Sequence, residues 1–215
     1  MATAKETVQG SKLIYLYRVQ KTAETEDATH IAFATENERS KSKDADSTVT
    51  KDGSIRTPGG VEQEITGTSL LMQGDTFLDD LEDSMDSDDL IEIWEANLEE
   101  KKSDVYELTQ DTDIVEGKDY YTRSGTAPDY TYTKVENPVK SSLSSYYEIT
   151  ASKYKGKYFQ GYLTEISRSS NSEDMVEVSL TFGINGKGAS GDVTVTAEQA
   201  DDAGYAFVDT PATGA

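Results

Sequence analysis

A mainly β fold with one flanking helix is what the spacing of apolar residues predicts for this chain. Several segments alternate at period two, and only one long segment repeats at the period of a helix. Polar residues fill the opposite side of most of them.

Residues 12–19 read KLIYLYRV. Leu13, Tyr15, Tyr17 and Val19 share one face, and Ile14 and Leu16 share the other, so this strand is expected to be covered on both sides. Residues 174–182 give the cleanest alternation, with Val176, Val178, Leu180 and Phe182 opposing Met175, Glu177, Ser179 and Thr181. Residues 157–166, 90–96 and 61–69 are further strands. The last places Glu62, Glu64, Thr66 and Thr68 on one side, a sheet face that meets water. The helix is predicted over 76–85. Phe77, Leu78, Leu81 and Met85 form one stripe, and Asp75 or Thr76 stands where the free amides need a cap. Burying each of the four contributes roughly 1.5–3 kcal/mol, enough to dock the helix on a sheet. A second, short helix is predicted over 197–203.

Two stretches do not follow these periods. Residues 34–60 contain only Val49 and Ile55 as large apolar side chains, and carry Arg39, Lys41, Lys43, Lys51 and Arg56 among acids. The reading is a long extended loop, an arm of the kind that is either disordered or functional. Residues 103–151 hold seven of the thirteen tyrosines, including the pairs Tyr120-Tyr121 and Tyr146-Tyr147, together with Pro128 and Pro138. Removing them would join the strand at 90–96 to the strand at 157–166. They are read as a small β-rich module (103–151) inserted into a discontinuous parent domain, 1–102 and 152–215.

Composition excludes several functions. The 215 residues carry 41 acidic and 20 basic side chains, a net charge of −21, so tight binding to nucleic-acid phosphate is disfavoured. No run reaches the length of a transmembrane helix, the N-terminus lacks a secretory apolar region, and no membrane partner is expected. The absence of cysteine removes disulfides, thiolate metal sites and thiol nucleophiles.

Catalytic patterns fail in turn. His30 is the only histidine and has no cysteine or second histidine with which to form an ordinary zinc site. No serine lies in a G-x-S-x-G elbow. Residues 186–193, GKGASGDV, match the dinucleotide G-x-G-x-x-G string, but the following Val-Thr-Val-Thr reads as a strand where a helix is required, which leaves a glycine-rich turn. Asp86, Asp88, Asp89 and Glu92 miss the ligand positions of a calcium loop. No catalytic, cofactor-binding or metal residue is assigned, no cofactor is expected, and the chain is read as a non-enzyme.

Six collinear segments carry a resemblance: KLIYLYR (12–18), ERSKSKDADSTVTKDGSIRTPG (38–59), GDTFLDDLEDSMD (74–86), IEIWE (91–95), FQGYLT (159–164) and EDMVEVSLTFGINGKG (173–188). Together they resemble the TP901-1-like major tail proteins, the tail tube proteins of long-tailed phages of Gram-positive bacteria. The resemblance implies two packed antiparallel β-sheets, a β-sandwich or barrel, flanked by a helix. It implies six-membered rings of this chain stacked into a virion tube, made in the bacterial host cytoplasm, through which DNA is ejected without sticking. A tape-measure protein, a tail terminator and distal tail proteins are the further partners it implies.

Within that frame, Arg39, Lys41, Lys43, Lys51 and Arg56 are candidates for contacts between rings. Glu62, Glu64, Glu165 and Glu177 are candidates for the lumen wall, and residues 12–19 for packing on both the chain's own core and a ring neighbour. The tyrosine-rich insert is either a decoration or a carbohydrate-binding surface. The competing function is a virion or cell-surface carbohydrate-binding β-sandwich; an acidic mimic of DNA is a third reading.

Overall fold

Strand periodicity and strand position agree along most of the chain. The computed structural model describes residues 7–170, 172 and 174–202. The end of the short helix expected at 197–203 lies outside the described residues. The strands are β1 (Leu13–Val19), β2 (Ala34–Thr50), β3 (Gly53–Leu70), β4 (Ile91–Leu108), β5 (Tyr121–Thr126), β6 (Asp129–Lys134), β7 (Tyr147–Ser169), β8 (Glu177–Ile184) and β9 (Ala189–Thr196). Helix α1 spans Thr76–Asp86 between β3 and β4, and α2 spans Ala197–Asp202.

Among the described residues all nine strands join one sheet, with the order β1-β4-β7-β8-β3-β2 and with β5, β6 and β9 branching from it. The two sheets expected from the resemblance are therefore linked. The long strands β4 and β7 (18 and 23 residues) make this possible, since each contributes to more than one stretch of pairing. The ladder β2-β3-β8-β7 is antiparallel throughout.

The chain forms two compact units. The first comprises Leu13–Ala96 and Gly156–Gly191, and the second Asn97–Lys155 with residues 7–12 and 192–202. The first unit is built around Tyr15, Tyr17, Ile65, Ile91, Ile93, Phe159, Leu180 and Phe182, closed by Leu78 and Leu81 of α1. Tyr17 stacks on Phe182 with ring centroids 5.1 Å apart, and its hydroxyl donates to Asn37 Oδ1 at 3.1 Å. Gly67 leaves the space for that contact, since a Cβ there would lie 3.2 Å from the same Asn37 oxygen.

Asp75 caps α1 as expected, its carboxylate accepting from the amides of Phe77 and Leu78. Leu78 and Leu81 are fully buried and Phe77 is half-buried, but Met85 is 39% exposed, which corrects its placement in the packing stripe. Ser84 is buried in its stead. Its hydroxyl donates to Leu81 O at 2.6 Å, which satisfies the polar group within the helix.

A second correction concerns residues 12–19. Ile14 and Leu16 are 9% and 2% exposed within a single chain, so the second face of β1 is already covered and is not left for a ring neighbour. A third concerns 34–60, which is no loop. β2 and β3 form one long hairpin around a Lys51-Asp52 turn, paired from Ala34↔Ser69 to Thr50↔Gly53. Residues 186–188 form the turn between β8 and β9 as expected, with Gly186 and Gly188 at φ +70° and +66°.

Candidate assembly surfaces

The β2–β3 hairpin sorts its charges by face. In the half nearest the core, Asn37, Arg39, Lys41 and Lys43 pair with Gly67, Ile65, Gln63 and Val61. Of these partners Gln63 and Ile65 are buried, so Arg39, Lys41 and Lys43 lie on the core side. The alternate pairs Glu36↔Thr68, Glu38↔Thr66, Ser40↔Glu64 and Ser42↔Glu62 lie on the opposite side.

That second side continues across the sheet. Thr66 pairs with Thr181 and Thr181 with Glu165, while Leu70 pairs with Glu177 and Glu177 with Ser169. The four acids singled out from the sequence, Glu62, Glu64, Glu165 and Glu177, thus share one exposed sheet face. Glu36 and Glu38 join them there, and sequence reading missed both. The signal was present in T-E-N-E-R-S-K-S-K, where acids and bases occupy alternate phases. At about 4.8 Å between strands, glutamates in neighbouring rows are within mutual repulsion range and hold a strongly negative surface.

The five basic candidates separate. Arg39 is bound inside its own subunit: its Nε donates to Glu95 Oε2 at 2.7 Å, and its guanidinium lies 5.7 Å from the centre of the Phe159 ring. It is an internal anchor, a correction to its grouping with the arm. Lys41, Lys43, Lys51 and Arg56 are exposed. From Gly53 through Glu62 the strand has no buried residue, so the hairpin extends about 30 Å past the last core contact at 3.3 Å per residue. A bulge divides it, since Asp44 faces Gly59 and Gly60 between the pairs Lys43↔Val61 and Ala45↔Pro58. Beyond the bulge Val49 is 82% exposed and Ile55 is 59% exposed.

Two carboxylates on β4 fix the root of this surface. Glu95 accepts from Arg39 and from the Tyr15 hydroxyl at 2.8 Å. Glu92 accepts from Arg18 at 2.7 Å and from the Tyr158 hydroxyl at 2.6 Å, with Arg18 lying 5.1 Å from the Trp94 ring centre. Burial, followed by the Glu92 carboxylate, pushes the Tyr158 hydroxyl up to about 12. Burial, followed by Glu95, raises Tyr15 further, and burial alone dominates for Tyr17.

In the second unit the tyrosines mostly face one another. Tyr106 and Tyr132 stack at 3.9 Å, Tyr121 and Tyr147 meet that pair edge-on, and Tyr120 packs with Tyr146 and Leu143. Arg123 sits 4.3 Å from the Tyr130 ring centre and 4.7 Å from that of Tyr147. Lys118 bridges Asp111 and Glu148, and the Tyr120 hydroxyl donates to Asp111 at 2.7 Å. Lys118 and then Tyr120 hold the Asp111 carboxyl below the usual carboxylate range.

A putative tail protein of Staphylococcus phage phiMR25 is 28% identical over 200 residues, covering 92% of this chain and 80% of its own length. Among solved structures, the SPP1 tail tube aligns over 88% of this chain and 80% of its own, with 15% identity and a TM-score of 0.48. The tail of an empty GTA particle covers 85% and 98%, with 9% identity and a TM-score of 0.47. Residues 7–109 match the family described as phage tail tube protein. The matched segment carries β1, the β2–β3 hairpin, α1 and β4.

Proposed function

We propose that this chain is the repeating subunit of a phage tail tube, with six copies closing a ring and rings stacking into a virion conduit for DNA. The observation that carries the reading is the hairpin. A strand of ten consecutive residues without a buried side chain gains little from its own subunit, and 17-residue β2 is an end strand of the sheet order. Both features call for neighbouring copies. In this reading Lys41, Lys43, Lys51 and Arg56 meet carboxylates of the adjacent ring, while Arg39 holds the hairpin root.

The acidic sheet face supplies the lumen wall. Glu36, Glu38, Glu62, Glu64, Glu165 and Glu177 repel phosphate, so DNA slides without binding. The activity is mechanical and electrostatic, with no bond made or broken. A tape-measure protein inside the tube, a terminator and distal tail proteins at its ends are the partners this role requires. The 103–151 insert falls in the second compact unit, which also takes in residues 7–12, 97–102, 152–155 and 192–202 that the sequence reading gave to the parent domain, and we read it as a decoration. Most of its tyrosine rings are spent on one another, which weighs against a carbohydrate platform.

Electron microscopy of the purified chain tests the proposal. Tubes or rings with a regular axial repeat are expected. A chain that stays a single subunit at high concentration overturns it.

A further inference from the structure

Residues 103–151 carry nine acidic and four basic side chains. Three of the four cations are lysines with carboxylate partners: Lys118 bridges Asp111 and Glu148, Lys134 binds Asp119, and Lys140 binds Asp113. The fourth is Arg123, which is exposed, and among the described residues no carboxylate or carbonyl accepts from it. Its contacts are aromatic. The guanidinium lies 4.3 Å from the Tyr130 ring centre and 4.7 Å from that of Tyr147. β5 is flanked by β6 on one edge and β7 on the other, so the two rings approach from opposite sides. Held this way, the side chain gives up little freedom on binding, and its N–H fork is left for an acceptor from outside the chain.

The same face carries hydroxyls that the fold does not use. Arg123 shares its side of the β5–β6 hairpin with Tyr121, Tyr130 and Tyr132, through the pairs Tyr121↔Lys134, Arg123↔Tyr132 and Gly125↔Tyr130. Tyr106 stacks on Tyr132, and Tyr147 meets it edge-on. None of these five hydroxyls has a hydrogen-bond partner among the described residues. Tyr130 is exposed, and no buried tyrosine oxygen lacks a partner, so the unbonded hydroxyls open to water. The core tyrosines of the same unit differ: Tyr120 donates to Asp111 at 2.7 Å, and Tyr146 accepts from the Val139 amide at 3.3 Å. Packing takes up the ring faces, which leaves no stacking platform, but it leaves the hydroxyls beside one unpaired cation.

We infer that this face binds a sugar acid, a saccharide unit whose single carboxylate is taken by the Arg123 fork while its hydroxyls bond to those of the tyrosines. Arginine meets a carboxylate with two parallel N–H···O bonds, and tyrosine hydroxyls both donate and accept, as sugar hydroxyls require. A polyphosphate is disfavoured, because the acidic excess of the segment repels a chain of charges. A neutral sugar leaves the cation unpaired, and a carboxylate on a peptide leaves the hydroxyls unused. The site is independent of the tube reading.

Ligand-observed saturation-transfer NMR reads weak binding to the full-length chain whatever its state of assembly. Methyl β-D-glucuronide is the probe, with methyl β-D-glucoside and glutamate blocked at both its amino and α-carboxyl groups as comparators. The glucuronide is expected to bind about tenfold more tightly than either comparator. Arg123→Gln is expected to lower glucuronide affinity by about tenfold. Tyr130→Phe and Tyr132→Phe keep the rings and remove one hydroxyl each, and about a threefold loss is expected from each. Circular dichroism checks that every variant folds. A glucoside that binds as tightly as the glucuronide, or glucuronide binding indifferent to Arg123, overturns the proposal. Blocked glutamate that binds equally well identifies a bare carboxylate site and overturns the sugar assignment. No signal from any probe overturns it as well, and none of these results touches the tube reading.

Discussion

Arg39 and Glu95 are 56 residues apart in sequence and 2.7 Å apart in the fold, joining the root of the projecting hairpin to β4. The Tyr15 hydroxyl shares the same carboxylate oxygen, and both charged side chains are largely shielded, at 26% and 11% exposed. Removing the cation strands a carboxylate in a low-dielectric site. Arg39→Ala is expected to cost about 2–4 kcal/mol. The same change in a Glu95→Gln background should cost much less, because no charge is left unpaired. A double-mutant cycle by urea unfolding reads the difference.

Alkaline stability follows from the tyrosines. Burial and Glu92 raise Tyr158 to about 12 in the folded chain, against about 10 when unfolded. A raised folded value means that the contribution is complete below pH 10 and is lost as pH climbs from 10 through 12. Tyr15 and Tyr17, raised further, steepen the loss. Tyr158→Phe should flatten part of that slope, at a neutral-pH cost of about 1 kcal/mol for a hydrogen bond at a half-buried site. Chemical denaturation at a series of pH values gives both numbers.

The β8–β9 turn contains two glycines that look alike in sequence and differ in packing. A Cβ on Gly188 would lie 2.5 Å from the Phe159 ring and 2.9 Å from Tyr158 O, whereas one on Gly186 would meet nothing within 4 Å. Both residues have positive φ. Gly186→Ala should therefore cost only the backbone term, about 1 kcal/mol. Gly188→Ala adds overpacking against a buried ring and should cost about 2–4 kcal/mol. Thermal melts of the two variants separate the terms.

The acidic sheet face yields a test of its orientation. Glu38 and Glu165 stand in one cross-strand row, Glu38–Thr66–Thr181–Glu165. Replacing both with Lys should leave folding within about 0.5 kcal/mol of wild type, since both are exposed surface positions. Tubes of the double variant are expected to retain duplex DNA at low salt and release it as salt rises, while wild-type tubes do not retain it. Equal behaviour of the two places this face away from DNA.

Much of the first unit was legible in the sequence because its side chains obey one rule. β8 and the core half of β3 alternate since one face of each meets the core, β1 is apolar and buried on both faces, and α1 carries its stripe and its Asp75 cap. The hairpin was not legible by that rule. Among the described side chains of 44–60 none is buried in the single chain, so no hydrophobic period marks them, and only the alternation of Glu36 and Glu38 with Arg39, Lys41 and Lys43 betrays a strand. The ends of β4 and β7 were hidden for the same reason: their solvent-facing halves pair through backbone groups that every residue type carries.

The sequence by itself determined which core segments extend, where the long helix begins, that the chain is strongly acidic, and which family it resembles. These properties depend on local spacing and on composition. Only the tertiary structure decided that six glutamates share a face, that Arg39 serves Glu95 while its basic neighbours stay free of the core, and that residues 34–70 pair as one long hairpin. Strand register fixes all three, and register is set by pairings between residues far apart in the chain, where a slip of one position would send every side chain to the other side.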